Sequence, residues 1–208
     1  SNSNSNSNSN SNSNSNSSVQ APISEKEALE RKLKLKKKIL LKSNCVGDSS
    51  IGEGGDKLLT NLDDLFHNDP LIDEIGIIMD KSNTIDFILK EHKLGIPIGF
   101  MKTLFAYCIQ NFQQLYEEKK NCIQINTENK NENNLNSKLM SVTRGILVIR
   151  GDMPTALNVR KQILLELQCL KFIEMELQLL NALFTLHPKS PSGWQHRRWA
   201  ISYRYHLL

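Results

Sequence analysis

The residues best suited to do chemistry lie near the C-terminal end, in His187-Pro188-Lys189-Ser190-Pro191-Ser192-Gly193-Trp194-Gln195-His196-Arg197-Arg198-Trp199. Trp194 and Arg197 are three residues apart. A helix sets such a pair on one face, and both are expected to point inward. Ser190 followed by Pro191 signals a helix start, because the hydroxyl can cap a free N–H and proline tolerates the first turn. Lys189, Arg197 and Arg198 gather positive charge at that start, where amide N–H groups also point outward. Together they suit an anionic group such as a diphosphate. The competing role for Arg197 is structural. Between stacked helices its guanidinium would bond to carbonyls at the end of a neighbour and stack on Trp194.

Other chemistries find less support. The cysteines are Cys45, Cys108, Cys122 and Cys169. No pair has the Cys-x-x-Cys spacing of a metal or redox site, and reduced thiols are the default. A zinc site needs converging ligands. His187 and His196 straddle a helix start and are not an i, i+4 pair, so no metal is expected in this chain. No Ser-His-Asp or paired-carboxylate arrangement stands out. Gly52-x-Gly54-Gly55 lacks a preceding strand, which argues against a phosphate loop. The formal charge of +4 is too small by itself to imply nucleic acid.

The C-terminal motif has a copy upstream. At an offset of 37 residues, Met153-Pro154-Thr155-Ala156-Leu157-Asn158-Val159-Arg160-Lys161 aligns with Ser190 to Arg198. The alignment sets Pro154 on Pro191, Leu157 on Trp194 and Arg160 on Arg197. One helical hairpin per such period marks an α-solenoid. The run Trp-x-x-Arg-Arg-Trp after Pro-Lys-Ser-Pro resembles the repeat of the protein prenyltransferase α-subunit family. Leu157, Asn158 and Arg160 look like a partner repeat with Leu where Trp is usual, and Pro191, Trp194, Arg197 and Trp199 read like a well-formed one. Ile72-Asp73-Glu74-Ile75-Gly76 and Glu91-His92-Lys93-Leu94-Gly95 are similar to the N-terminal region of a divergent branch of that family.

The resemblance implies an all-α fold, a right-handed α-α superhelix of hairpins with a disordered N-terminal tail. It implies the non-zinc subunit of a heterodimeric prenyltransferase, with geranylgeranyl transfer to a protein cysteine. Zinc and the isoprenoid diphosphate are then expected on a β subunit, of the Rab type. The protein substrate would end in a cysteine, and the setting would be the cytoplasm. A family lysine a few residues before the Trp reaches the diphosphate, and Lys189 matches that position.

The elements that must position these residues follow from patterning. Residues 1–23 are a Ser/Asn-rich tail with little to bury, expected to be disordered. Within 24–57, Ser24-x-x-Glu27 is a capping box opening a helix to Lys42, followed by a Gly-rich linker. The lysines of that helix suit an anionic membrane or acidic partner. A solvated face is favoured, because Leu33 and Leu35 do not share one side. Its apolar run is too short for a secretory signal. Residues 58–120 form an N-terminal helical region: a short helix over 58–66 stopped at Asp69-Pro70, an extended arm over 71–95, and a long helix over 98–120 with Phe100, Leu104, Cys108, Phe112 and Leu115 in step. Residues 121–137 read as an Asn-rich loop.

Residues 138–208 hold the repeats, with helices expected at 138–149, 154–169, 171–186 and 191–208. Trp194, Ile201, Tyr205 and Leu208 form the stripe of the last one. Opening on Ser1 and ending inside a helical pattern, the sequence reads as part of a longer protein. The competing function is a helical-repeat scaffold that binds a protein without prenyl chemistry. A nucleic-acid binder using Arg197, Arg198 and Trp199 would need a wider basic stripe with repeated aromatics.

Overall fold

The computed structural model describes residues 49–80, 86–125 and 132–208. They all fall in one unit, Asp48–Leu208. The Ser/Asn tail, the basic segment 24–42 and residues 126–131 of the Asn-rich stretch lie outside the described residues.

Helix α1 spans Ser49–Asn68. It takes in the glycines expected to form a linker, and the reason lies in its neighbour α2, Ile98–Ile125. A Cβ on Gly55 would lie 2.4 Å from Tyr107 Cβ, so the glycine lets the two helices approach closely. Tyr107 then donates its hydroxyl hydrogen to Asp56 Oδ1 at 2.7 Å. Leu59 and Leu62 turn inward. The helix stops before Asp69-Pro70 as expected, and Asp69 Oδ1 accepts from Leu71 N at 3.1 Å.

The stretch expected to be an extended arm is a three-stranded sheet. Strand β1 is Glu74–Ile78, β2 is Ile88–Lys90 and β3 is Lys93–Pro97. The order is β1-β3-β2, with β1 parallel and β2 antiparallel to the central β3. Strands β2 and β3 meet in a two-residue turn, where Glu91 and His92 have φ of 50° and 64°. That is the primed turn matching the twist of a hairpin. His92 Nδ1 lies 2.9 Å from the Asp69 carboxylate, which ties the turn to the end of α1. Strand propensity in Ile75, Ile77, Ile78 and Ile88 is thus realised. It could not be weighed from sequence, because β1 finds its partner some twenty residues away.

Helix α3 runs Glu132–Ile149 and starts six residues earlier than expected. Leu135 continues the buried stripe of Leu139, Val142 and Ile146, so the Asn-rich residues before it join the helix. Gly145 sits where α1, α2 and α3 converge. A Cβ there would meet Cys108 Sγ at 2.6 Å and Leu59 Cδ1 at 3.1 Å.

The last three helices fall close to expectation. Helix α4 is Pro154–Leu167, α5 is Leu170–Leu186 and α6 is Pro191–Leu207. Gln168, with φ of 44°, ends α4 in the left-handed conformation, and its N–H reaches Leu164 O. The protein is mostly helical, and the small sheet is held by a helix. Thr185 Oγ1 accepts from Ile75 N at 3.0 Å, and Gln178 Nε2 donates to Ile72 O at 3.1 Å. Helix α5 therefore covers the outer edge of β1.

Candidate functional site

The two copies of the motif open α4 and α6 in the same way. Pro154 and Pro191 each occupy the first turn. Leu157 is buried and Asn158 is exposed. The expected inward pair is realised in the first copy, where Leu157 stands for Trp, and not in the second. In α4 the cation goes in: Arg160 is 2% exposed. In α6 the buried side is Gly193, His196 and Ala200, and Trp194 is 50% exposed. The stripe expected from Trp194, Ile201, Tyr205 and Leu208 is correspondingly exposed. The reason is the face that α6 gives to its neighbours. Its small residues and one imidazole fit the gap left by α4 and α5, and the large aromatics do not.

Trp194 is nonetheless held. Its ring stacks on Phe184 with centroids 4.0 Å apart and planes 10° from parallel. Its Nε1 donates to Pro188 O at 2.9 Å. Arg197 donates to Asn181 Oδ1 and lies over Phe184, not over Trp194. Trp199 stacks on Tyr203 and carries Lys161 over its ring at 5.0 Å.

The bond to a neighbouring helix's carbonyl expected of Arg197 is made instead by Arg160, in the middle of α3 and not at its end. Its Nη1 donates to Met140 O at 2.8 Å and to Thr143 Oγ1 at 3.0 Å. Its Nε and Nη2 grip the carboxylate of Glu176 at 2.9 and 2.5 Å. On the other side of that carboxylate, His196 Nε2 lies 2.9 Å from Oε1. Burial alone would push the Glu176 carboxyl up, but Arg160 and the His196 hydrogen bond hold it down at about 2. One buried carboxylate thus joins α4, α5 and α6. Glu176 carried no sequence signal, because nothing in its own helix marks it as anything but a polar residue.

A second polar centre lies further back. Lys119 Nζ, 3% exposed, donates to Asn136 Oδ1 at 2.7 Å and pairs with Glu166 at 2.6 Å. It links α2, α3 and α4.

The turns before α4 and α6 are bonded to each other. Ser190 Oγ donates to Gly151 O at 3.0 Å and accepts from Gly193 N at 3.0 Å. His187 Nε2 donates to Val148 O at 2.9 Å. Asp152 Oδ1 accepts from Ser192 N at 3.1 Å. Hydrogen bonds from Ser192 hold the Asp152 carboxyl below its ordinary value. This corrects one expectation. The amides at the start of α6 do not face outward for an anion, because Asp152, Ser190 Oγ and Ser190 O already take them. Lys189 is exposed beside them.

Among the described residues, no three His, Cys, Asp or Glu side chains gather as metal ligands, and no step is assigned to a metal in this chain. Cys108 is buried, and burial pushes its thiol up to about 12. No described helix is long and apolar enough to cross a membrane.

Successive hairpins joined turn to turn, with an Arg of each motif copy bonded to a neighbouring helix, define a helical-hairpin repeat protein. Residues 173–204, which cover α5 and most of α6, match the family described as protein prenyltransferase alpha subunit repeat. The chain belongs to the proteins that carry this repeat. It is 35% identical over 148 residues to Protein prenyltransferase alpha subunit repeat-containing protein 1-A of Xenopus laevis, covering 70% of this chain and 31% of that one. It is 32% identical over 149 residues to repeat-containing protein 1 of Danio rerio, with 70% and 32% covered. The Homo sapiens counterpart is 33% identical over 150 residues, with 70% and 33% covered. The chain spans about a third of the length of the curated relatives it matches.

Proposed function

We propose that the chain is part of an α-type subunit of a heterodimeric protein prenyltransferase, acting in the cytoplasm and transferring a geranylgeranyl group to a protein cysteine. What carries this reading is the paired repeat. Two Pro-opened helices 37 residues apart are bonded turn to turn, and the second lies in the matched family segment. The partner is a β subunit, which we take to be of the Rab type. Zinc and the isoprenoid diphosphate belong to that partner. A zinc-bound thiol gives up its proton, and zinc would supply the acceptor cysteine as a thiolate.

This chain's share is to present a rigid surface and to contact the partner and the protein substrate. Lys189 is the side chain we assign to the leaving diphosphate. It would act as a single exposed cation, since the neighbouring amides are taken. Co-expression with a Rab-type β subunit should yield a zinc-containing complex that transfers geranylgeranyl to a cysteine-terminated protein. Lys189→Ala should slow transfer by about tenfold or more, with the complex intact by gel filtration. Failure to form the complex rejects the subunit assignment. An unchanged rate in the mutant complex rejects only the role of Lys189.

A further inference from the structure

A cleft of about 640 Å³ opens between α1, α3, α4 and α5. That is the size of a small-molecule site, where apolar walls combine with a few polar groups that fix orientation. Phe66, Met140, Ile163, Phe172, Met175 and Leu179 line it. Phe172 and Met175 are 39% and 43% exposed, so part of the apolar wall faces water.

Two guanidinium groups also line the cleft, and they differ in their partners. The Nε and both Nη atoms of Arg160 donate to Glu176, Thr143 and the Met140 carbonyl. Arg144 donates from Nη1 to Asp63 Oδ1 at 2.7 Å, and the Phe66 ring covers one side of it at 5.2 Å. Among the described residues it makes no other hydrogen bond. Yet a guanidinium has five N–H donors, and this side chain is only 19% exposed. Its counter-ion is shared as well, because Asp63 also accepts from Ser141. Burial and the nearby Arg160 charge lower the proton affinity of Arg144, while Asp63 and Glu176 raise it. Its remaining N–H donors are open to water in the cleft, since no buried side-chain nitrogen lacks a partner among the described residues.

We propose that this cleft binds a small amphiphilic carboxylate. Its apolar body lies along Phe172, Met175 and Leu179, and its head accepts from the Arg144 donors that Asp63 leaves over. A planar carboxylate matches the guanidinium fork. Asp64 also lines the cleft and is exposed. With Asp63 and Glu176, which line the cleft too, it disfavours a head with more than one negative charge, which favours a carboxylate over a phosphate.

Calorimetric titration of the full chain with decanoate, decyl phosphate, decanol and decyltrimethylammonium tests this. Decanoate should bind with one saturable site, and the other three should bind about tenfold more weakly or not at all. Arg144→Met should weaken decanoate by about tenfold. Met175→Glu changes an exposed position and keeps the test valid if Arg144→Met fails to fold. It should abolish binding. Decanol or decyl phosphate binding as tightly as decanoate overturns the proposal. So does decanoate binding that both variants leave unchanged, or no decanoate binding up to about 1 mM.

Discussion

At the scale of single residues, the centre of the molecule is the carboxylate of Glu176 between Arg160 and His196. Removing one partner from such a group leaves a buried charge without compensation, at a cost of about 3–5 kcal/mol. Arg160→Met should therefore lower stability by that amount in a urea titration, although methionine fills much of the same space. Acid should act on the same group. A carboxyl held at about 2 in the folded chain and near 4.5 when unfolded stabilises fully above pH 4.5. That contribution is lost as the pH falls from 4.5 toward 2. Glu176→Gln should be less stable at neutral pH and should show a flatter fall across that window. An equal slope in both proteins would assign the acid sensitivity to other carboxylates.

At the scale of elements, the same motif position has opposite surroundings in the two copies. Leu157 is 2% exposed and Trp194 is 50% exposed. Leu157→Ala should cost about 2–5 kcal/mol through lost burial and the cavity left behind. Trp194→Ala removes a larger side chain yet should cost less, because only its stack on Phe184 and one hydrogen bond are lost. Thermal melts of the two variants compare them directly.

The boundaries marked by proline were legible because they are local, while the starts of α1 and α3 were not. Ser190-Pro191, Pro154 and Asp69-Pro70 each act within one turn of chain. Which face a helix buries was less so. The three-residue spacing of Trp194 and Arg197 is right for one side of α6, but that side is not the one α4 and α5 receive. Strand propensity could not decide between an arm and a sheet for the same reason, since nothing near Ile75 in sequence reveals Leu94 as its register partner.

At the scale of the whole unit, the long-range contacts are what sequence conceals. Arg144 meets Asp63 across 81 positions, and Thr185 meets Ile75 across 110. Gly145 is placed by atoms of two other helices. Gly145→Ala should therefore force α1, α2 and α3 apart at the cost of about 1–3 kcal/mol, the range for overpacking a filled core. Because Lys119–Glu166 and Arg160–Glu176 both use α4, loss of one centre should loosen the other. Hydrogen exchange of Arg160→Met is expected to show faster exchange in α4, α5 and around Lys119 of α2, with α1 little changed.

The bonded turns fix one more property. Ser190, His187 and Asp152 make their contacts at a set distance along the chain, measured out by α4 and α5 together. Adding a single amino acid inside either helix would swing everything beyond it by about 100°. All of these contacts would be misaligned together. Length changes should therefore be better tolerated at the Gln168–Cys169 turn than inside α4 or α5, which admit substitution but neither gain nor loss of a residue.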